Sequence, residues 1–248
     1  MMSANQPPRF AELRDRDVWV FDLDNTLYPA ECDLFAEIDQ RMTDFVARFL
    51  HVDRVEARRI QKQYYAEHGT TLKGLMSLHG MEPSDFLHHV HEIDLSPLPK
   101  LPSLADAISQ LPGRKYVYTN GSRRHAERVT SYMGLGDVFD GQFAIEDSAY
   151  APKPDAQSYD LFCNRFSVSP DSAVFFEDLT RNLVPAYNLG FRTVLVHSEK
   201  DWSHEPNGAR PAGSGDDLPG EIDYVTGDLT SFLTELNIEL EPKETPNA

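Results

Sequence analysis

The sequence predicts an α/β fold, a doubly wound, Rossmann-like parallel sheet with an inserted all-helical domain. From residue 103 onward, strand-like segments alternate with amphipathic helical segments, as in parallel sheets with crossover helices. Between residues 30 and 97 only helical periodicity is found. We therefore expect a core formed by residues 1–29 and 98–248 and a separate helical unit formed by residues 30–97.

The first predicted strand is the apolar run from Val18 to Phe21. An unbroken run of this kind is typical of a strand that is buried on both faces under helices. It leads directly into Asp22 and Asp24, and Thr26 follows two residues later. Ligand sites in open parallel sheets form at the carboxyl ends of the strands, so both carboxylates are expected to face such a site.

The segment before this strand has no regular pattern, and the segment after it has a helical pattern. Residues 1 to about 15 are polar and contain prolines, so we expect a loose arm. Apolar residues at helical spacing predict four helices, over about 32–50, 53–68, 72–79 and 84–92. Asp53 and Glu56 have the spacing of a capping box for the second of these helices.

The remaining core is predicted from alternating strand and helix patterns. In order, the elements are a helix opened by Ser103, a strand at 115–119, a helix at 122–133, a strand at 143–145, a helix at 155–166, a strand at 173–177, a helix at 180–189 ended by Gly190, strands at 193–196 and 222–225, and a helix at 229–236. Residues 199–220 are rich in Gly, Pro, Ser and Asp and predict a long mobile loop. We expect the tail to be disordered.

Composition excludes several classes of function. The net charge of −17 argues against a nucleic-acid partner, which needs clustered Lys and Arg. Cys32 and Cys163 are far apart in the sequence, so a disulfide framework is not expected. We expect a cytoplasmic location, where cysteines stay reduced. An N-terminal signal peptide and a membrane span are not predicted. A small-molecule substrate and a monomer or homodimer are consistent with these observations.

Asp22 and Asp24 have a chemical interpretation as a pair. Asp22 would attack phosphorus as a carboxylate nucleophile and form an aspartyl-phosphate. Asp24 would protonate the leaving oxygen and later activate water. Mg²⁺ is the expected partner of such carboxylates, because hard oxygen ligands suit this ion. The alternative is a strand followed by an acidic turn without function.

Three further sites lie where predicted strands end. Thr119, Asn120 and Gly121 could bind phosphate at a helix start or could form a simple turn with Ser122 as N-cap. Lys153, between two prolines, could fix an ammonium beside the phosphoryl oxygens or lie in an inert loop.

Asp178 is predicted to bind the metal directly, with Glu177 and Asn182 in support. The alternative for this last site is an acidic helix start without a ligand.

The order and spacing of these four sites resemble the four motifs of the haloacid dehalogenase superfamily. This resemblance implies a Mg²⁺-dependent site with Asp22 as nucleophile and metal ligand. It further implies that Asp24 is the acid/base and binds the metal through its backbone carbonyl. Thr119 and Lys153 would hold the phosphoryl group, and Asp178 would complete the metal site. An aspartate at position 24 disfavours the dehalogenase branch, and residues 30–97 correspond to the small helical cap of this superfamily.

A closer likeness concerns residues 21–29, 69–76, 91–94 and 176–183, which resemble the pyrimidine 5′-nucleotidase subfamily. It implies a nucleoside 5′-monophosphate as substrate. Alternatives are a phosphatase of non-nucleotide esters such as phosphoglycolate or sugar phosphates, a phosphomutase, and a non-catalytic phosphate-binding protein.

Other side chains leave two interpretations open. His91 could face the substrate, or could bind a metal together with His88. Arg123, Arg124 and His125 could contact the phosphate or form a solvated helix face. The aromatic residues Tyr64, Tyr65 and Phe86 could stack on a nucleobase or form the core of the helical unit.

Overall fold

The central feature of the computed structural model is a six-stranded parallel sheet; the structure describes residues 9–202, 211 and 218–241. The strands are β1 (Val18–Phe21), β2 (Arg114–Tyr118), β3 (Gly141–Phe143), β4 (Ala173–Glu177), β5 (Arg192–Val196) and β6 (Tyr224–Thr226). Their order in the sheet is β3-β2-β1-β4-β5-β6, and every pair is parallel. The strand order reverses at β1, which places the expected ligand crevice at the carboxyl end of this strand.

Helices connect the strands as the sequence predicted. Between β1 and β2 lie α1 (Leu34–Leu50), α2 (Arg54–His68), α3 (Thr71–His79), α4 (Pro83–His91) and α5 (Pro102–Gln110). The later connections contain α6 (Arg123–Met133), α7 (Ala156–Phe166) and α8 (Thr180–Leu189), and α9 (Leu229–Leu240) follows β6. The predicted doubly wound α/β fold is therefore confirmed.

Alternate residues of the buried strands face two separate apolar clusters. Trp19 and Phe21 pack into one cluster, whereas Val18 and Val20 pack into the other. This alternation follows from the two-residue period of a strand. Because both clusters are buried beneath helices, β1 has no polar residue until the chain leaves the sheet at Asp22.

The helical segment, residues 30–97, contains no strand, and all of its residues are described. Helix α1 packs against α2 and α4, and α2 packs against α3. The side chain of Asp53 accepts hydrogen bonds from the backbone N–H groups of Val55 and Glu56 and so caps α2 as predicted,. That this segment is a domain in its own right stays a prediction.

Some predicted boundaries were wrong. Strand β3 covers Gly141–Phe143 rather than 143–145, because the register with β2 pairs Tyr116 with Gly141 and the backbone N–H of Ile145 instead binds the carbonyl of Gly121. Helix α5 begins at Pro102 without a side-chain cap, so Ser103 does not open it. Helix α9 continues to Leu240, beyond the predicted end at 236.

The predicted loose arm is partly packed against the core. Phe10 and Leu13 are buried, and the ring of Phe10 lies 4.8 Å from that of Phe232. Residues 1–8, most of the predicted loop at 199–220 and the tail from 242 lie outside the described residues. Within the described part of the chain, every helix is too short or too polar to span a bilayer.

Candidate active site

The turn after β1 brings two carboxylates to the carboxyl end of the sheet. The backbone N–H of Asp22 still pairs with the carbonyl of Phe176 in β4, at 2.9 Å. The chain then turns, and Asn25 adopts a φ of 62°. Asparagine tolerates this left-handed conformation better than most residues. The turn therefore places Asp22 and Asp24 beside one cavity instead of continuing the strand.

Lys153 is buried next to Asp22 and uses all three ammonium protons. Its Nζ donates to Asp22 Oδ1 at 2.7 Å, to Glu177 Oε2 at 2.6 Å and to the carbonyl of Tyr118 at 2.9 Å. Burial alone would lower the pKa of Lys153, but the attraction of the two carboxylates outweighs it and raises the pKa,. The lysine is therefore charged and locked between Asp22 and Glu177.

The backbone of Lys153 is held by Asn120. The Lys153 N–H donates to Asn120 Oδ1 at 2.8 Å, and Asn120 Nδ2 donates to the Lys153 carbonyl at 3.1 Å. Asn120 thus couples the segment after β2 to the segment that carries the lysine. Its side chain is occupied by this pairing, although the residue also lines the cavity.

A second feature of the site is a group of three buried carboxylates. One oxygen each of Asp22, Glu177 and Asp178 lies within 4.8 Å of the other two. Burial, followed by repulsion from Glu177, raises the pKa of Asp22 to about 8, and the same two causes raise the pKa of Asp178 well above its usual value. Lys153 offsets only part of this negative charge. The oxygen donors and the uncompensated charge fit a divalent cation such as Mg²⁺.

Asp24 lies in a different environment from Asp22. Its Oδ1 accepts hydrogen bonds from the Tyr28 hydroxyl at 2.6 Å and from His125 Nε2 at 2.8 Å. Burial would raise the pKa of Asp24, but the attraction of His125 and both hydrogen bonds outweigh it and lower the pKa. Without substrate, Asp24 is therefore a carboxylate.

Two of these contacts were not foreseen from the sequence. His125 is only 1% exposed, so for this residue the solvated helix face is wrong. Its contact with Asp24 joins residues that are 101 positions apart. The available signal was the position of His125 three residues after the N-cap Ser122, which directs its side chain toward the start of α6,. Tyr28 lies within residues 21–29, whose resemblance to the pyrimidine 5′-nucleotidase subfamily assigns it no role.

The segment after β2 and the end of α4 form the opposite wall. Thr119 is buried and its Oγ1 accepts a hydrogen bond from the N–H of Gly121 at 2.9 Å. His91 stacks on His125 with a centroid distance of 4.4 Å, and its Nδ1 lies 2.9 Å from Ser122 Oγ. Because Ser122 and His125 surround it, the pairing of His91 with His88 around a metal is not the observed arrangement.

All predicted site residues line a single cavity of about 520 Å³. They are Asp22, Asp24, His91, Thr119, Asn120, Gly121, Lys153, Glu177, Asp178 and Asn182. The helical segment supplies apolar walls, among them Phe35, Met42, Tyr65 and Phe86. Tyr64 instead places its hydroxyl 2.8 Å from His79 Nε2. The structure thus brings the predicted residues together; their chemical roles stay predictions.

Comparison with known proteins gives one family and several relatives. A family model described as "Hydrolase: haloacid dehalogenase-like hydrolase" matches residues 17–186. "Phosphate metabolism protein 8" of Saccharomyces cerevisiae is 28% identical over 209 residues, covering 77% of this chain and 64% of that protein. "Enolase-phosphatase E1" of Klebsiella oxytoca is 30% identical over 140 residues, covering 54% of this chain and 57% of that protein. The chain thus spans less than two thirds of the length of either relative.

Solved structures share the fold. The HAD phosphatase from Thermococcus onnurineus is 20% identical, with a TM-score of 0.55 over 92% of this chain and 100% of that chain. The L-2-haloacid dehalogenase from Xanthobacter autotrophicus is 18% identical, with a TM-score of 0.53 over 89% of this chain and 98% of that chain. At these identities the likeness concerns the fold alone, and the fold includes both a phosphatase and a dehalogenase.

Proposed function

The chain belongs to the haloacid dehalogenase-like hydrolases, and from this membership we propose that it is a Mg²⁺-dependent phosphatase of a pyrimidine nucleoside 5′-monophosphate. The observation that carries the proposal is the contrast between Asp22 and Asp24. Asp22 lies among carboxylates and beside Lys153, whereas Asp24 accepts hydrogen bonds from Tyr28 and His125. Two carboxylates in such different environments are suited to two different chemical roles.

In the first step, Asp22 attacks the phosphorus atom of the ester. A bond forms between a carboxylate oxygen of Asp22 and phosphorus, and the bond from phosphorus to the leaving oxygen breaks. Asp24 gives a proton to that oxygen, so that a neutral alcohol departs. Since Asp24 is a carboxylate in the free protein, it must take up its proton with the substrate; the negative charge of the arriving phosphate favours this protonation.

In the second step, water hydrolyses the aspartyl-phosphate. Asp24, now a carboxylate, accepts a proton from the water molecule as its oxygen attacks phosphorus. The bond from phosphorus to Asp22 breaks, and inorganic phosphate leaves. The proton that Asp24 loses in the first step is thus regained in the second. Asp24 releases this proton when inorganic phosphate leaves, and the protein returns to its starting state.

The metal site would be formed by the carboxylates of Asp22 and Asp178 and by the backbone carbonyl of Asp24. A bound Mg²⁺ supplies positive charge that offsets the negative charge of the carboxylates and of the phosphoryl group. Glu177 keeps Lys153 in place through a 2.6 Å contact, and Asn182 lines the same cavity. Thr119 and Lys153 face the phosphoryl group from the other side.

Phosphate ester hydrolysis fits the site better than dehalogenation. A halide ion leaves without a proton, so a dehalogenase has no use for a proton donor two residues after its nucleophile. Asp24 is half-buried, lines the cavity and has its carboxyl group oriented by two hydrogen bonds. These features support an oxygen leaving group, which needs protonation.

The helical segment supports a substrate of nucleotide size. We assign it as a cap that covers the site and selects the substrate. Its aromatic residues Tyr65 and Phe86 line the cavity. The half-buried Tyr65 offers a surface for a base, whereas Phe86 is 3% exposed and packs in the apolar core. The volume of about 520 Å³ lies within the range of small-molecule sites. The likeness of residues 69–76 and 91–94 to pyrimidine 5′-nucleotidases points to the same substrate.

A second candidate is a phosphatase of non-nucleotide esters. The similarity to an enolase-phosphatase favours it, because that name mentions a phosphatase and no nucleotide. The apolar cavity walls do not exclude such a substrate. A phosphomutase and a binding protein without activity have no comparable observation in their favour.

The test is release of inorganic phosphate in the presence of Mg²⁺ from UMP, CMP, dUMP, AMP, GMP, phosphoglycolate and sugar phosphates. The Asp22→Asn variant serves as the blank, and we expect it to retain less than about one thousandth of the activity. Asp106→Asn, at an exposed position in α5, is the control for the same chemical change elsewhere. We expect UMP and CMP to be the best substrates.

A preferred substrate among the non-nucleotides would overturn the nucleotide assignment and leave the phosphatase chemistry intact. Phosphate release from none of these esters by a folded, Mg²⁺-loaded protein would overturn the proposed function itself. Equal activity of the Asp22→Asn variant and the wild type would exclude Asp22 as nucleophile.

A further inference from the structure

We propose that Tyr28 and His125 are positioning residues that fix the carboxyl group of Asp24 so that Oδ2, and not Oδ1, carries the proton to and from the substrate. The inference rests on the proposed phosphatase function and adds two residues to it. Neither residue is expected to touch the reacting phosphoryl group. Both act through Asp24.

Tyr28 contributes a hydroxyl donor from the same turn that carries Asp24. Its side chain is 1% exposed, and its hydroxyl lies 2.6 Å from Asp24 Oδ1. An ionised carboxylate only accepts hydrogen bonds, so the tyrosine is the donor. Tyr28 precedes Pro29, and Leu27 before it is anchored by a backbone hydrogen bond to Leu23. The hydroxyl is therefore held in place relative to Asp24.

His125 contributes a second donor to the same oxygen from α6. Its Nε2 lies 2.8 Å from Asp24 Oδ1, and its ring is 1% exposed. Among the described residues, none forms a hydrogen bond with His125 Nδ1. An ionised carboxylate only accepts hydrogen bonds, so Nε2 carries a proton and His125 is the donor.

The orientation of the imidazole ring is fixed from two directions. The backbone N–H of His125 donates to Ser122 Oγ at 3.2 Å. The ring stacks on His91 at 4.4 Å with an angle of 16° between the two planes. His91 in turn places Nδ1 2.9 Å from Ser122 Oγ. Ser122 therefore anchors both members of the stack.

With two donors on Oδ1, the other oxygen of Asp24 is left for the substrate. In the part of the chain that the structure describes, Asp24 Oδ2 has no hydrogen-bond donor. It faces Gly121, where a Cβ atom would lie 3.6 Å from it. Gly121 belongs to the segment after β2 that also lines the cavity. Oδ2 is thus the oxygen directed toward the predicted phosphate-binding segment.

This arrangement makes a specific kinetic prediction. When an ester releases an alcohol, the leaving oxygen needs a proton from Asp24 Oδ2, and a misoriented carboxyl group slows the step. When an ester releases 4-nitrophenolate, the leaving group departs without that proton. Loss of Tyr28 or His125 should therefore slow alcohol release much more than nitrophenolate release. A general loss of structure would slow both alike.

The experiment compares Tyr28→Phe, His125→Leu and His125→Gln with the wild type in single-turnover reactions. Uridine release from UMP and 4-nitrophenol release from 4-nitrophenyl phosphate are measured at saturating Mg²⁺. Single turnovers isolate the first step from the hydrolysis of the aspartyl-phosphate, in which Asp24 also takes part. Tyr132→Phe, at a half-buried tyrosine in α6 outside the cavity, is the control for loss of a hydroxyl.

We expect Tyr28→Phe and His125→Leu to slow uridine release at least about 10-fold more than nitrophenol release. The amide of His125→Gln can still donate a hydrogen bond, so this variant should recover part of the lost rate. KM for UMP should change less than kcat, because Asp24 Oδ1 does not contact the substrate. Tyr28→Phe removes a single oxygen atom and keeps the test valid if His125→Leu fails to fold.

Equal slowing of both reactions, or no slowing of either, would overturn the positioning role. If the wild type hydrolyses UMP but the variants slow uridine release and nitrophenol release equally, the phosphatase proposal stands and only the positioning role fails. A wild-type protein that releases no phosphate from either ester would overturn both.

Discussion

At the scale of the residue, the charge of the site depends on Lys153. Its ammonium group is 1% exposed and contacts two carboxylates and a carbonyl oxygen. Breaking a buried ion pair from one side leaves an uncompensated charge in a medium of low polarity. The lysine is therefore needed both to orient Asp22 and to keep Asp22 and Glu177 together.

The substitution Lys153→Met should destabilise the protein by about 3 kcal/mol and remove activity. The methionine preserves most of the volume but leaves both carboxylates without a cation. Urea denaturation measures the free energy of unfolding. The matched control is Lys73→Met, because the ion pair of Lys73 with Asp155 is partly exposed and should be worth less than about 1 kcal/mol.

A double variant separates charge from packing. Adding Glu177→Gln to Lys153→Met removes one of the two carboxylates that Lys153 contacts and should recover part of the lost stability. If both lysine variants destabilise the protein equally, the buried network around Lys153 does not have the importance given to it here.

The sequence was sufficient for some residues of the site and not for others. Asp22 and Asp178 directly follow predicted strands, so the position of a strand end was enough to bring them together. Lys153 lies in a loop well beyond β3, and it was assigned from its place between two prolines and from the family resemblance. Tyr28 and His125 could not be assigned in this way. Their contacts with Asp24 depend on side-chain directions and on the packing of α6 against the turn after β1, which no local pattern encodes.

At the scale of the element, Asp39 links the first two helices. Asp39 in α1 accepts hydrogen bonds from Arg58 at 2.6 Å and from Gln61 and Lys62 at 2.7 Å, all three in α2. Burial alone would raise the pKa of Asp39, but the attraction of Lys62 and the hydrogen bonds from Lys62 and Arg58 outweigh it and lower the pKa. The carboxylate form is thus stabilised in the folded protein.

This contact predicts a pH-dependent contribution to stability. A carboxyl group whose pKa is lower when folded contributes stability above its unfolded pKa, and the contribution is lost as the pH falls through the folded pKa. At pH 6, Asp39→Asn should reduce the free energy of unfolding by about 2 kcal/mol. The difference from wild type should shrink as the pH falls below about 4.

Thermal and urea unfolding at pH 6, 5, 4 and 3 would measure this difference. Asp106→Asn, at an exposed position, should show little change across the same range. A difference between wild type and Asp39→Asn that stays constant from pH 6 to pH 3 would contradict the ionic role of Asp39.

Element boundaries show where sequence patterns reach their limit. Strand β4 and helix α8 were predicted with the observed ends, because an apolar run, an acidic turn and Gly190 define them locally. Strand β3 has three residues at the edge of the sheet, and its position is set by pairing with β2. Pairing partners are not visible in a single strand's own sequence.

At the scale of the whole molecule, this acidic protein places three carboxylates close together in the predicted catalytic cavity. The net charge is −17, and Asp22, Glu177 and Asp178 lie close together at the end of the sheet. A cation that binds the folded protein but not the unfolded chain raises the stability of the whole molecule. Metal binding is therefore measurable without any assay of activity.

Addition of Mg²⁺ to metal-free protein should raise the melting temperature. At a concentration about 100 times Kd, the expected gain is about 2.7 kcal/mol. Asp178→Asn should lose most of this gain, because it removes a predicted ligand. Asp106→Asn should keep it. An equal gain for wild type and Asp178→Asn would place the metal elsewhere.

The doubly wound topology and the helical composition of residues 30–97 followed from periodicity alone, and both are observed. Periodicity did not predict the cavity, because its walls combine strand ends with α1, α2 and α4. How these helices lie over the sheet is decided by tertiary packing. The cytoplasmic location and the state as monomer or homodimer stay predictions.

The central claim is that Asp22 forms a covalent bond to the phosphoryl group. The most direct measurement is rapid acid quenching of the protein with UMP and Mg²⁺, followed by peptide mass spectrometry. We predict one phosphoryl group on the peptide that contains Asp22, and none in the Asp22→Asn variant. Steady phosphate release with no phosphorylated Asp22 at any quench time, or with the phosphoryl group on another residue, would contradict the mechanism.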